Sequence, residues 1–197
     1  MAKAVIFDWG GTCSIGNHMQ YVKQRIADKF RLPPEQVDAA VEKNNAAYLT
    51  GQLHGEDFFF QLNKALGTTF TLADFERTFA AIKLNVRVLD IVRQTRKRCK
   101  TGLLSDNYKE MVDFIRKKIT LGEYFDAAVF SNEAGIKKPD RKIYEMVTGK
   151  LGVKPQDCVF VDDREENIFT ARNLGMTAIK FEGSEKLETA LRTAGVL

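Results

Sequence analysis

Cysteine, proline, tryptophan and histidine are all scarce in this 197-residue chain, at three, four, one and two residues. Cys13, Cys99 and Cys158 are an odd number without metal-ligand spacing. That argues against a disulfide framework or a zinc site and for reduced thiols. Cys13, five residues after Asp8, reads as a small buried apolar residue. No proline-rich linker, repeat or low-complexity tract divides the chain. Long apolar runs are missing as well: no window of about 18 uninterrupted apolar residues exists, so no membrane-spanning helix is expected. The opening MAKAVIFD has one lysine and an early acid, too little for a secretory signal, so the expected location is cytoplasmic. Excess charge is lacking too, with 30 basic against 26 acidic residues. The densest basic run, Arg93 to Lys100, carries no interleaved aromatics and reads as a solvated helix face. Neither nucleic acid nor a membrane is expected as a partner.

What is present is 44% apolar sequence, enough for one sizeable core with a small accessory domain. Two textures share it. Residues 3–8 form a short apolar run ending in an acid. From about 17 to 86 the spacing is helical, in segments containing Tyr21 to Phe30, Val37 to Ala47, Phe58 to Leu66 and Phe75 to Ile82, with no clear strand. Thr71 and Asp74 have the spacing of a capping box. From 87 onward strands alternate with helices: 101–105, 127–131, 158–161 and 177–181 as strands, with helices of roughly ten residues between them. That alternation means βαβ units and a parallel sheet. The expected fold is α/β: a three-layer, Rossmann-like parallel sheet core over 1–16 and 87–197, with a helical cap inserted at 17–86.

In an open parallel sheet, ligands bind beyond the carboxyl ends of the strands. The first strand end offers Asp8, Gly10, Gly11 and Thr12. The second offers Ser105, Asp106 and Asn107. The loop after the third carries Lys137 and Lys138, and the fourth ends at Asp162 and Asp163. Any one of these has a bland explanation as a turn, a cap or a surface lysine. Together, at successive strand ends, they make a coherent phosphoryl-transfer site. Asp8 and Asp163 can share a hard divalent cation such as Mg²⁺. Lys138 offsets negative charge, and Ser105 can donate to a phosphoryl oxygen. Gly10 and Gly11 let backbone N–H groups come close. Asp8 would then attack phosphorus.

The segments VIFDWGGT, TGLLSDN, AGIKKPDRKIYEMV and VFVDDREENIFTARNLGM resemble, in order, the motifs of the haloacid dehalogenase-like hydrolase superfamily. The insertion sits where that superfamily carries its helical cap of the first type. The resemblance covers essentially the whole chain. It implies Mg²⁺, an aspartyl-phosphate on Asp8, and Ser105 and Lys138 as phosphate and charge partners. It also implies Asp162 and Asp163 as the acidic pair, with Asp163 the direct metal ligand, Gly10 lending its carbonyl, and Asn167 orienting the loop.

The sequence departs from the common pattern at Gly10, where most phosphatases of the superfamily have a second aspartate that protonates the leaving group. Such help is worth about 10²–10⁴-fold. Three accounts follow. One is a phosphatase of the D-x-G kind, similar to α-glucose-1-phosphate phosphatases, acting on a small phosphorylated metabolite such as a sugar phosphate. There His18 could stand in as the acid, although it reads more simply as a lone exposed histidine. Another is a phosphonoacetaldehyde hydrolase-like enzyme, which needs a Schiff-base lysine; Lys23, Lys43 and Lys64 are candidates. The third is a weakened member that binds a phosphorylated ligand or a protein. A dehalogenase proper would leave Asp162 and Asp163 idle. His18, Tyr21, Tyr48 and His54 are candidate substrate contacts, Phe58 to Phe60 a candidate apolar lining, and Asn17 and Arg87 candidate hinge neighbours.

Overall fold

The computed structural model describes residues 2–197. The chain opens with β1 (Ala4–Phe7), whose four apolar residues are buried on both sides. That is what the middle of a parallel sheet requires. A tight irregular turn at Trp9–Cys13 leads to β2 (Ser14–Ile15). Four helices follow: α1 (His18–Phe30), α2 (Pro34–Leu49), α3 (Gly55–Leu66) and α4 (Leu72–Arg77). The expected capping box at Thr71 and Asp74 opens α4. The helix expected to run on to Ile82 ends earlier. At Thr78, whose hydroxyl donates back to Phe75 O, the coil tightens into a 3₁₀ turn over Thr78–Ala81.

A strand stands where the sequence showed none. β3 (Lys83–Leu84) pairs antiparallel with β2, Ser14 opposite Leu84. Two residues are too few to display a period-2 pattern. The pairing ties together the two points where the helical segment leaves and rejoins the sheet.

The second half alternates as expected: α5 (Val86–Arg96), β4 (Lys100–Ser105), α6 (Lys109–Lys118), α7 (Leu121–Tyr124), β5 (Ala127–Phe130) and α8 (Ser131–Ala134). α9 (Arg141–Leu151), β6 (Cys158–Asp162), α10 (Glu165–Asn173), β7 (Thr177–Lys180) and α11 (Ser184–Thr193) complete it. The one-turn helices α7 and α8 are too short to read from spacing. The main sheet is parallel in the order β5-β4-β1-β6-β7. Alternate strand residues face two cores: Val5, Phe7, Leu103 and Val161 point to one, Ala4, Ile6, Leu104 and Phe160 to the other. These are the three layers of an α/β fold. β1 lies in the centre, with β4 on one side and β6 on the other, so the chain reverses direction around it. That is where such sheets open a crevice.

Phe58 and Phe59 do not line the crevice. Both are core residues, packed with Tyr48 and Phe75, while Phe60 is 69% exposed. Among the described residues no helix is long and apolar enough to cross a membrane. The Arg93–Lys100 run is ion-paired at the surface, Arg96 with Asp126 and Arg93 with Asp90 and Glu123.

Candidate active site

A cavity of about 350 Å³ opens at the carboxyl ends of β1, β4 and β6. Asp8 reaches it because its N–H donates to Val161 O and carries the β1–β6 ladder one residue past the strand (2.9 Å). Beside it lies Lys138, buried, from the loop between α8 and α9. A buried ammonium must be paired, and this one uses all three donors. Nζ donates to Asp8 Oδ1 at 2.5 Å, Asp162 Oδ2 at 2.7 Å and Leu104 O at 3.1 Å. Its backbone N–H donates to Asp106 Oδ1 at 3.0 Å. The lysine thus ties the ends of β1, β4 and β6 together. The hydrogen bond from Lys138 ends on Asp8 Oδ1 and leaves Oδ2 without a protein donor among the described residues, in a side chain that lines the cavity.

The local charge is unbalanced. Asp8, Asp162 and Asp163 surround one ammonium. Burial pushes the Asp8 carboxyl up; Lys138 holds it down, Asp162 and Asp163 push it further, and it stands at about 8. Asp163 is raised by burial and by Asp162. Burial opposes the Lys138 ammonium, but Asp8, Asp162 and Asp106 outweigh it and keep it protonated. Burial is the largest cause of the rise in Asp8, and Asp162 and Asp163 add to it against the pull of Lys138. A divalent cation between Asp8 and Asp163 would relieve it.

The donor set fits such an ion. The cavity lining carries the carboxylates of Asp8, Asp106 and Asp163 and no cysteine. Among the described residues no three His, Cys, Asp or Glu side chains come together to cage a metal. Two carboxylates, a carbonyl and retained water is the manner of Mg²⁺. Asp162 is not free to join. It is 0% exposed and does not line the cavity. Its Oδ1 accepts from Arg164 N–H and Asn167 Nδ2, both at 2.9 Å, and its Oδ2 from Lys138. The expectation that it ligates metal gives way to a supporting place behind Asp8 and Lys138. Asn167 does hold that loop, as expected.

The two glycines differ. Gly11 has φ +78°, and a β-carbon there would land on the Asp163 carboxylate. Only glycine fits, and the contact presses Asp163 against the turn that carries Asp8. Gly10 has ordinary extended backbone (φ −73°, ψ 122°), with nothing within 4 Å of a β-carbon placed on it. Its glycine meets no need of the protein's own backbone.

Other expected contacts fall on either side of the cavity wall. Asp106 and Asn107 line it; Ser105 and Thr12 do not. Ser105 Oγ is 2.6 Å from Asn107 Nδ2, which covers it. Thr12 is fully buried and its hydroxyl meets no partner. His18 and Tyr21 line the cavity, whereas Tyr48 and His54 border a separate cleft. Tyr48 is buried and donates to Glu110 at 2.8 Å. No candidate Schiff-base lysine reaches the cavity. Lys43 and Lys64 are exposed, and Lys23 pairs with Asp38 and Glu42. For Lys23, burial works against the charge, yet those acids raise its pKa overall, the opposite of what imine formation needs. Cys13 is buried, as expected, and burial holds its thiol protonated.

His18 is half-buried rather than exposed, its Nε2 2.8 Å from Thr78 Oγ1. Burial pushes it down to about 4, so at neutral pH it is neutral and cannot serve as an imidazolium acid. The folded state binds this proton less well than the unfolded chain. Stability tied to His18 is therefore present above pH 6.5 and is lost as pH falls toward 4. His18→Gln should flatten the melting-temperature profile between those pH values. A profile as steep as wild type would mean that other groups govern the acid side.

Sequence reading missed the groups that bind the helical insertion to the sheet. Ser131, fully buried directly after β5, accepts from Asn107 N–H at 3.0 Å and donates to Leu49 O at 2.6 Å. Tyr108 OH donates to Asn45 Oδ1 at 2.7 Å. Ser131 was within reach of the strand-end rule, had the strand been ended at Phe130. Asn45 and Leu49 left no signal, because nothing in a helical period says what lies opposite.

A family model described as haloacid dehalogenase-like hydrolase matches residues 2–175. Flavin mononucleotide hydrolase 1 of Arabidopsis thaliana is 38% identical over 90 residues, 46% of this chain and 37% of that protein. The match thus spans little more than a third of that relative's length. D-ribitol-5-phosphate phosphatase of Bacteroides thetaiotaomicron is 24% identical over 195 residues, 92% of this chain and 93% of the other. Among solved structures, a HAD-like family hydrolase from Porphyromonas gingivalis superposes with TM-score 0.78 at 21% identity, covering 98% of both chains. A HAD family enzyme of Bacteroides thetaiotaomicron, in complex with magnesium and inorganic phosphate, gives TM-score 0.75 at 18% identity, covering 91% of this chain and 94% of the other.

Proposed function

Because the chain belongs to the haloacid dehalogenase-like hydrolase family, we propose that it is a phosphatase acting on a small phosphorylated metabolite through an aspartyl-phosphate on Asp8. The observation that carries this reading is Asp8 itself. Lys138 pins one carboxylate oxygen and leaves the other without a protein donor among the described residues, in a cavity that Asp163, Asp106 and Asn107 also line. The phosphatase names of several relatives, D-ribitol-5-phosphate phosphatase among them, support the reaction class. A sugar phosphate is one substrate within this reading, by the D-x-G motif.

In the reaction, Asp8 Oδ2 attacks phosphorus, the bond from phosphorus to the ester oxygen breaks, and the alkoxide takes a proton from water. A second water then attacks the acyl phosphate, phosphate leaves, and the Asp8 carboxylate returns. Lys138 keeps Asp8 oriented and balances its charge, and Asn107 donates toward the phosphoryl group with Ser105 behind it. Asp8, Asp163 and the Gly10 carbonyl would hold Mg²⁺, which when bound neutralises phosphate charge. Asp162 and Asn167 keep Lys138 and the Asp163 loop in register. In this reading residues 17–86 are a cap of the first type over a core of 1–16 and 87–197, and the protein works in the cytoplasm.

Phosphate release from p-nitrophenyl phosphate and a panel of metabolite phosphates, with Mg²⁺ and with EDTA, tests the proposal. EDTA-sensitive release is expected. Release that EDTA leaves untouched would remove the metal from the account. No release by folded protein from any ester would favour a member that only binds its ligand. Position 10 supplies a sharper probe, since a β-carbon placed there has nothing within 4 Å. Gly10→Asp should raise kcat/KM on alkyl phosphates, by as much as about 10²-fold, and raise it less on aryl phosphates, whose leaving group needs no proton. A fall on both would mean that position 10 must stay open for substrate.

A further inference from the structure

Above its carboxylate base the cavity changes character. Its walls are Trp9, Met19, Leu49, Ile82, Tyr108 and Met111. Ile15 and Tyr21 also line it while standing 61% and 40% exposed, two of the six large hydrophobic side chains left exposed among the described residues.

Most polar side chains on the same walls are already engaged within the protein. Asn17 Oδ1 accepts the Gln20 N–H at 3.1 Å as the cap of α1. Asn45 Oδ1 accepts Tyr108 OH at 2.7 Å, and its Nδ2 donates to Glu42 at 3.3 Å. His18 shares a hydrogen bond with Thr78 and is held neutral by burial. Arg164 is paired with Glu166, and every other charged lining group belongs to the phosphate end. At Gly10 there is open space instead of a carboxylate. A site that selects a polyol needs unengaged donors and acceptors aimed at the hydroxyls, because its discrimination comes from pairing them. These walls spare few: Asn167 Oδ1, which meets no partner among the described residues, and the remaining N–H groups of Asn17 and Arg164. What they offer is hydrocarbon, including two methionines that adapt to irregular shapes.

We propose that the substrate is the phosphate monoester of an apolar alcohol or phenol, with the phosphate on Asp8 and Lys138 and the hydrocarbon part against Met19, Ile82, Tyr108 and Met111. The inference rests on the phosphatase reading and narrows its substrate class away from sugar phosphates. The bonds made and broken are those of the reaction above, with R–OH and inorganic phosphate as products.

Linear alkyl phosphates test this without confounding chemistry, since ethyl and hexyl phosphate have leaving groups of nearly equal basicity. kcat/KM should rise with each methylene, by up to about fourfold, until the cavity is full. Hexyl phosphate should exceed ribitol 5-phosphate and glycerol phosphate. Met19→Gln should lower the hexyl-to-ethyl ratio severalfold. Calorimetry of hexylphosphonate against ethylphosphonate, in Mg²⁺, gives a readout independent of turnover. Tighter binding of the longer phosphonate is expected there. A flat chain-length series, or a preference for the polyol phosphates, overturns the apolar assignment and leaves the phosphatase reading standing. Chain-length-dependent phosphonate binding with no hydrolysis of any ester keeps the apolar site and overturns the phosphatase reading.

Discussion

Asp8→Asn should lower phosphate release by about 10⁴-fold or more while leaving the protein at least as stable as wild type. The kinetic part follows from chemistry. An amide oxygen does not displace an alkoxide from phosphorus, and removal of a covalent nucleophile typically erases most of the acceleration that its neighbours support. The stability part follows from the charge cluster. Lys138 keeps Asp162 and Leu104 O as partners when Asp8 becomes neutral, so no buried ammonium is orphaned. One carboxylate is removed from a group that has too many. The sign can be read from proton uptake. Asp8 stands at about 8 when folded against a model-peptide value of 3.8, so the folded protein binds the proton more tightly. Without metal, Asp8 therefore costs stability increasingly as pH rises from 3.8 toward 8. The variant should match wild type near pH 4 and exceed it near pH 8, in melting curves recorded with EDTA. Retained turnover in Asp8→Asn would sink the nucleophile assignment. A lower melting temperature at pH 8 would mean that Asp8 and Lys138 form a net stabilising pair.

The second large effect has the opposite sign. Lys138→Ala leaves Asp8 and Asp162 facing each other in a buried site without their shared cation. Breaking a buried pair from one side typically costs about 3–5 kcal/mol. For a chain of this size that corresponds to a fall of about 10 °C in melting temperature at pH 8. Lys138→Met separates charge from volume, because it keeps most of the stem that fills the site. Most of the loss should persist in it. Both variants should also lose activity, since Asp8 would no longer be held or balanced. A Lys138→Met protein that melts with wild type would show that the strand ends do not depend on the ammonium. The pair of results is the useful reading: one substitution silences the site without unfolding it, and the other loosens the structure through the same cluster.

Much of this was legible beforehand, and the reasons are local. β1, β4 and β6 are buried on both faces, so they show as apolar runs ending abruptly at Asp8, Ser105 and Asp162. The helices carry three- and four-residue spacing and recognisable caps, as at Thr71 and Asp140. Short features escaped. The β2–β3 pair and the single-turn helices α7 and α8 contain too few residues for a period to appear. Side-chain roles escaped wherever they depend on what lies across a gap. Asp162 and Asp163 are neighbours of identical type, yet one is sealed behind Lys138 and the other opens to the cavity. Alternation along β6 decides that, and the strand's exact end is not marked by composition. Phe58 and Phe59 likewise turn to the core because Tyr48 and Phe75 meet them there.

By itself the sequence determined the layer architecture and the identity of the chemical groups at the strand ends. Those depend on hydrophobic period and on residue type, both of which are written along the chain. Tertiary structure alone decided which Asp8 oxygen is pinned, that Asp162 supports while Asp163 is open, and that only Gly11 must be glycine. It also decided that His18 is neutral and that Met19, Leu49, Ile82 and Met111 share a cavity with Asp8. Each of these is set by distance and desolvation between residues far apart in sequence. Lys138 and Asp8 stand 130 positions apart along the chain and 2.5 Å apart in the fold.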